Sequence, residues 1–164
     1  LSGMGTTVVA SLVSGDVMTI GSAGDSRCYL VRAGELRQLT RDDSWVSAAL
    51  GEGILNSDDV EHHPLRNVIT KAVGARDTID LDVLEHQLQP GDVVMLCSDG
   101  LHGMLNDQEL GRILLPDPGS LEEATARLIE AANDAGGKDN ISVILVRAAG
   151  GAPSAMRSWW PFRR

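Results

Sequence analysis

Apolar and polar positions alternate along this chain in short runs separated by turn-forming residues. Thr6-Thr7-Val8-Val9-Ala10-Ser11-Leu12-Val13 is rich in β-branched residues and reads as a strand. Ser14-Gly15-Asp16 supplies a turn, and Val17 to Gly24 returns as a second strand. Cys28-Tyr29-Leu30-Val31-Arg32 is a third, which Ala33-Gly34-Glu35 turns into Leu36-Arg37-Gln38-Leu39-Thr40. Short loops between successive strands predict an antiparallel meander. The segment Arg41 to Ala75 then breaks the β pattern. Asp42 or Asp43 can cap a short helix over Ser44 to Leu50, which stops at Gly51 and Gly53. Ser57 to Glu61 reads as a second helix start, cut off at Pro64, and Asn67 to Val73 as a third short segment ending at Gly74. So long a connection between strands points to function.

The strand pattern resumes at Leu81 to Leu88, followed by the turn Gln89-Pro90-Gly91-Asp92. Val93-Val94-Met95-Leu96-Cys97 is continuously apolar and predicts a strand buried on both faces. Helices are expected from Asp107 through Leu115, ending at Pro116, and from the capping-box sequence Ser120-Leu121-Glu122-Glu123 to about Ala135. Leu121, Ala124, Leu128, Ala131 and Ala132 keep helical spacing in the second. Gly136-Gly137 ends it, and Asn140 to Ala148 is the last strand.

Composition narrows the function classes. A chain of 164 residues with 43% hydrophobic content predicts one soluble domain with a core built on aliphatic side chains, since aromatics are only 3%. The formal net charge of −9 argues against nucleic acid as the main partner. Cys28 and Cys97 both fall in apolar runs, so buried reduced thiols and a reducing compartment are expected. The terminal stretch Gly150–Arg164 differs from the rest, with three arginines, no acidic residue and the cluster Trp159-Trp160-Pro161-Phe162. It reads either as a disordered terminus or linker, or as an anchor to a membrane interface or a partner.

Candidate chemistry lies in three acidic motifs at the edges of strand-like runs: Gly24-Asp25-Ser26-Arg27, Ser98-Asp99-Gly100-Leu101 and Lys138-Asp139-Asn140. Carboxylates at sheet ends can converge, and hard oxygen ligands suit Mg2+ or Mn2+. Taken alone, Asp25 reads equally well as a turn cap with Arg27 as its surface partner. His62, His63 and His102 read as surface histidines. Gly24 and Gly100 are expected to allow tight turns beside the aspartates, and Asn140 to hold Asp139 oriented.

In order along the chain, these segments resemble the metal-dependent protein phosphatases of the protein phosphatase 2C family, in their bacterial form. Gly3-Met4-Gly5-Thr6-Thr7 is similar to the family's glycine-rich strand entry, and Gly24-Asp25-Ser26-Arg27-Cys28-Tyr29 to its Gly-Asp-Ser-Arg-x-Tyr motif. Leu39 to Ser44 resembles the start of the family's flap segment, with Asp42, Asp43 and Ser44 as flap residues, and His63 to Asn67 with Ala72 to Gly74 resembles its return. Ser98-Asp99-Gly100-Leu101 and Asp139-Asn140-Ile141-Ser142 match the late metal motifs. The resemblance covers Leu1 to about Ala148. It implies an α+β fold of two stacked antiparallel β-sheets flanked by helices on both outer faces, incomplete at the N-terminus. The phosphatase-like domain is then residues 1–149 and the basic, aromatic tail 150–164.

The resemblance also implies chemistry. Asp99 and Asp139 would ligate one ion of a two-ion Mg2+ or Mn2+ centre, and Asp25 with Asp99 a third, weaker ion. A metal-activated water would hydrolyse phosphoserine or phosphothreonine, with no covalent intermediate. The implied partners are phosphorylated proteins and a serine/threonine kinase in the cytoplasm, with membrane association through the tail as a further reading. The family's Asp-Gly-x-Gly motif and phosphate-binding Arg have no counterpart here, so the chain is expected to be a fragment, weakly active or inactive alone. The competing class is a non-catalytic phosphatase-like module that binds a kinase or another signalling partner.

Overall fold

The computed structural model describes residues 4–60, 63–115 and 119–149. The tail with Trp159 and Trp160 lies outside the described residues, as does His62. Among those described, seven strands and five helices follow in the order β1 (Val8–Ser14), β2 (Val17–Ala23), β3 (Arg27–Arg32), β4 (Glu35–Gln38), α1 (Trp45–Gly51), α2 (Ser57–Val60), β5 (Asp82–Gln87), β6 (Val93–Cys97), α3 (Asp99–His102), α4 (Asp107–Leu114), α5 (Leu121–Asp134) and β7 (Val143–Arg147).

The strands form two antiparallel sheets, a three-stranded one in the order β1-β2-β5 and a four-stranded one in the order β4-β3-β6-β7. The continuous meander expected through the first four strands therefore splits. β1 with β2 and β3 with β4 are hairpins, but between β2 and β3 the chain crosses from one sheet to the other. Gly24 makes that crossing at φ +102, where a Cβ would also collide with the Thr7 side chain. Burial explains the split. Met18 and Ile20 of β2 meet Cys28 and Leu30 of β3 across the space between the sheets, in a core with Val94.

β6 has the two-sided burial its apolar run predicts. Val94 and Leu96 face the three-stranded sheet, while Met95 and Cys97 face the helices. Tyr29, Leu101, Leu110, Leu114, Leu128 and Ala132 complete the helix-side core. Cys28 and Cys97 are free and buried, with burial raising both thiols to about 12. Helices α3, α4 and α5 thus cover the four-stranded sheet. The helical layer expected on the other outer face has no counterpart among the described residues. Leu12 and Val83 on that face are 71% and 64% exposed. At the free edge of β7, Ile144 and Val146 are also exposed.

Local signals fix the helix starts. Asn106 caps α4 in a reciprocal capping box with Glu109. The Ser120 hydroxyl caps α5 by accepting from the Glu123 amide. The cap of α1 is Ser44, which accepts from the Ser47 amide, rather than Asp42 or Asp43. Both aspartates are committed elsewhere. The segment Asn67–Val73 forms no helix; Ile69 bridges to Ser44 and Val73 to Thr6.

Candidate metal centre

Strand register brings the three acidic motifs to one end of the four-stranded sheet. Arg27 at the start of β3 pairs with Cys97 at the end of β6, and Cys97 pairs with Val143 at the start of β7. Asp25 lies just before the first of these positions, Asp99 just after the second and Asp139 just before the third. All three loops therefore leave the sheet on the same side.

Two of the loops are clamped directly. The Ser98 hydroxyl donates to the Asn140 carbonyl at 3.1 Å and accepts from the Ser142 amide at 3.0 Å. The Ser98 amide in turn donates to the Ser142 carbonyl. Gly100 sits hard against the Asn140 carbonyl, so that a Cβ would collide with it. Of the two glycines expected to allow tight turns, Gly24 does so at positive φ, while the requirement at Gly100 is close packing. Asn140 acts through its backbone, donating its amide to Asp139 Oδ1 at 2.7 Å. The Asp99 carboxylate accepts the Gly100 amide at 2.9 Å, and Asp99 and Asp139 are both exposed.

Asp25 is half-buried, and its carboxyl is pushed above the ordinary range, first by burial and then by the negative charge of Asp99. Asp25 therefore lies close enough to Asp99 to feel its charge. Among the described residues, no three carboxylate, imidazole or thiol groups come close enough to hold an ion by themselves. Asp25 with Asp99 offers a carboxylate pair. Hard divalent ions that keep much of their water shell accept such pairs, so the donor set fits Mg2+ or Mn2+.

The residues resembling a flap brace this site from behind. Asp42 takes a two-pronged contact from Arg27, Nε to Oδ1 at 2.9 Å and Nη2 to Oδ2 at 2.7 Å. Gln38 Nε2 donates to the same carboxylate at 2.9 Å. Arg27 Nη1 also donates to the Tyr29 hydroxyl, which donates to Asp107 at 3.0 Å. Burial works against the Arg27 charge, and the hydrogen bonds and charges of Asp42 and Tyr29 together more than offset it, raising its pKa. Arg27 is thus an internal strut rather than the surface partner of Asp25. Asp43 grips the turn that presents Asp25. Its Oδ2 accepts the Gly24 amide at 3.0 Å, and its own amide donates to the Gly24 carbonyl at 2.8 Å. Lys71 Nζ links Asp43 and Asp82 at 3.3 and 2.8 Å. His63 stacks on Trp45 with ring centroids 4.9 Å apart.

His102 corrects the sequence reading. It is half-buried rather than on the surface, and its Nε2 lies 2.9 Å from the Asp25 carbonyl oxygen. Burial and the Arg27 charge lower its pKa. Nothing in the local pattern Leu101-His102-Gly103 marks this contact, because its partner is far away in sequence.

Fold and site together define a class: a two-sheet α+β sandwich with three aspartate-bearing loops at one sheet end. Comparison with known proteins narrows it. No family model matches the chain. It is 40% identical over 146 residues to the serine/threonine phosphatase stp of Listeria welshimeri, aligning 89% of this chain with 58% of that protein. A crystal structure of the Mycobacterium tuberculosis serine/threonine phosphatase PstP/Ppp superposes with a TM-score of 0.87 at 35% identity, covering 92% of this chain and 63% of that one. The catalytic domain of PstP in complex with two manganese ions gives a TM-score of 0.82 at 33% identity, covering 92% and 61%. Over about nine-tenths of its length the chain is thus similar to bacterial serine/threonine phosphatases of the metal-dependent protein phosphatase type. It spans less than two thirds of the length of the relatives it matches.

Proposed function

We propose that this chain is part of a metal-dependent protein serine/threonine phosphatase acting on phosphoserine and phosphothreonine. The observation that carries the reading is the emergence of Asp25, Asp99 and Asp139 from one end of the four-stranded sheet. In this reading Asp99 and Asp139, in loops clamped by Ser98, hold one ion of a two-ion Mg2+ or Mn2+ centre. Asp25 with Asp99 holds a further, weaker one. The manganese pair in the related PstP domain supports the choice of metal. Bound ions would supply an activated water at neutral pH and offset the charge of the phosphoryl group. Gly100 keeps Asp99 close to the Asn140 loop, and Asp43 holds the Asp25 turn in place.

Two buried free thiols fit a reducing compartment, so we place the enzyme in the cytoplasm, opposing a serine/threonine kinase. Among the described residues no helix is long and apolar enough to cross a membrane. The absence of a three-ligand cluster among those residues favours a second reading for the isolated chain, a phosphatase-like module with weak metal affinity and little turnover. The test is manganese-dependent hydrolysis of a phosphothreonine peptide by the complete protein. Asp99→Ala and Asp139→Ala are each expected to abolish turnover, and an Asp139→Ala protein as active as the wild type would contradict the assignment.

A further inference from the structure

We propose that His102 is a positioning residue, latching the Asp25 turn onto the helix that starts at Asp99. The inference rests on the metal reading of Asp25 and Asp99 above. His102 closes the one-turn helix α3, so its ring and the Asp99 carboxylate are carried by the same rigid piece of backbone. That piece cannot shift toward the Asp139 loop, because Gly100 already packs against the Asn140 carbonyl. From this base His102 Nε2 reaches across 77 positions of sequence to the Asp25 carbonyl oxygen at 2.9 Å.

The contact meets a need that the site itself creates. Asp25 and Asp99 leave the same sheet end, and like charges placed side by side repel. Asp43 restrains only the Gly24 side of the turn, through the Gly24 amide and carbonyl. The His102 contact restrains the Asp25 peptide itself. A carbonyl oxygen only accepts, so the ring must donate and Nε2 carries the proton. The latch therefore keeps the Asp25–Asp99 pair spaced for a cation before one arrives, lowering the ordering cost of binding.

Two measurements on the 164-residue chain test this. The first uses no metal. Nitrogen NMR should show the Nε2–H tautomer of His102. His102→Leu should speed amide exchange at Asp25 and Ser26 by about tenfold, the scale of one lost hydrogen bond, with Val94 and Met95 unchanged. His102→Gln, whose amide nitrogen can donate in place of Nε2, should restore protection. An Nδ1–H tautomer, or unchanged exchange in His102→Leu, overturns the latch. The second is a Mn2+ titration followed by electron paramagnetic resonance. His102→Leu should weaken the Asp25-dependent site about fivefold, within the range of one lost hydrogen bond, and His102→Gln should recover it. In an Asp25→Asn background, His102→Leu should have no further effect. Independent, additive losses would overturn the positioning role. A wild-type chain that binds no Mn2+ while the exchange result holds would overturn the metal reading, and with it the claim that the latch serves an ion.

Discussion

Removal of the Asp42 carboxylate gives the sharpest test of the bracing behind the site. Asp42→Ala deletes the two-pronged contact to Arg27 and the bond from Gln38. It also leaves the Arg27 guanidinium partly buried without its counter-charge. The two side chains are 22% and 15% exposed, so the pair lies nearer to a buried ion pair than to a surface one. Exposed pairs contribute about 0.2–1 kcal/mol, whereas breaking a buried pair costs about 3–5 kcal/mol. Partial exposure places Asp42→Ala at the lower end of the second range, about 3 kcal/mol. For a domain of this size that lowers the thermal midpoint by about 6–12 °C. Urea unfolding followed by far-ultraviolet circular dichroism measures the change. The double variant Arg27→Met/Asp42→Leu removes both charges and should lose less than the sum of its single variants, by at least about 1 kcal/mol. An Asp42→Ala loss below about 0.5 kcal/mol, or strictly additive single variants, would refute the strut and return Asp42 to solvent.

Three further outcomes follow from other parts of the fold. Ala33 sits at φ +52 in the β3–β4 turn, followed by Gly34 at φ +81, so Ala33→Gly should raise stability by about 0.5–1 kcal/mol in the same unfolding assay. Arg32→Ala strips the pair to Asp92, whose side chain is only 2% exposed, and should lower stability in the same unfolding assay. The Arg32 hydrogen bond holds the Asp92 carboxyl below its usual 3.8, so its contribution is present above that pH and fades as pH falls through the lowered value; a pH series of melting curves on the wild type and Arg32→Ala checks this. His86 has a buried Nε2 without a hydrogen-bond partner, and burial with the charges of Arg32 and Arg37 lowers its pKa from 6.5, though Asp92 opposes the shift. The unfolded chain therefore takes up that proton more readily, so stability should fall as pH drops below 6.5, and His86→Leu should flatten that part of the profile.

Most strands were legible because each lies between turn-forming residues and carries a β-branched or continuous apolar run, as Val93–Cys97 shows. The helix starts at Asp107 and Ser120 were visible because capping and turn signals are local. What escaped depends on partners distant in sequence. Asp42, Asp43 and Ser44 are adjacent and chemically similar as caps. Only the tertiary contacts show that Arg27 takes the first and Gly24 the second, leaving Ser44 for the helix. The sheet change at Gly24 was hidden for the same reason, since a short loop serves a hairpin and a crossing equally well. The three aspartate motifs could be named from the sequence, but their common sheet end follows from the pairing of Arg27, Cys97 and Val143. His102 carried no local mark at all.

The central claim, that Asp99 and Asp139 share an ion, is tested most directly by Mn2+ binding to this chain, measured by electron paramagnetic resonance for the wild type, Asp99→Asn and Asp139→Asn. The structure predicts weak binding by the wild type and at least a tenfold loss in each variant, the scale of losing one charged ligand, with the fold retained. Unchanged Mn2+ affinity in Asp139→Asn would contradict it.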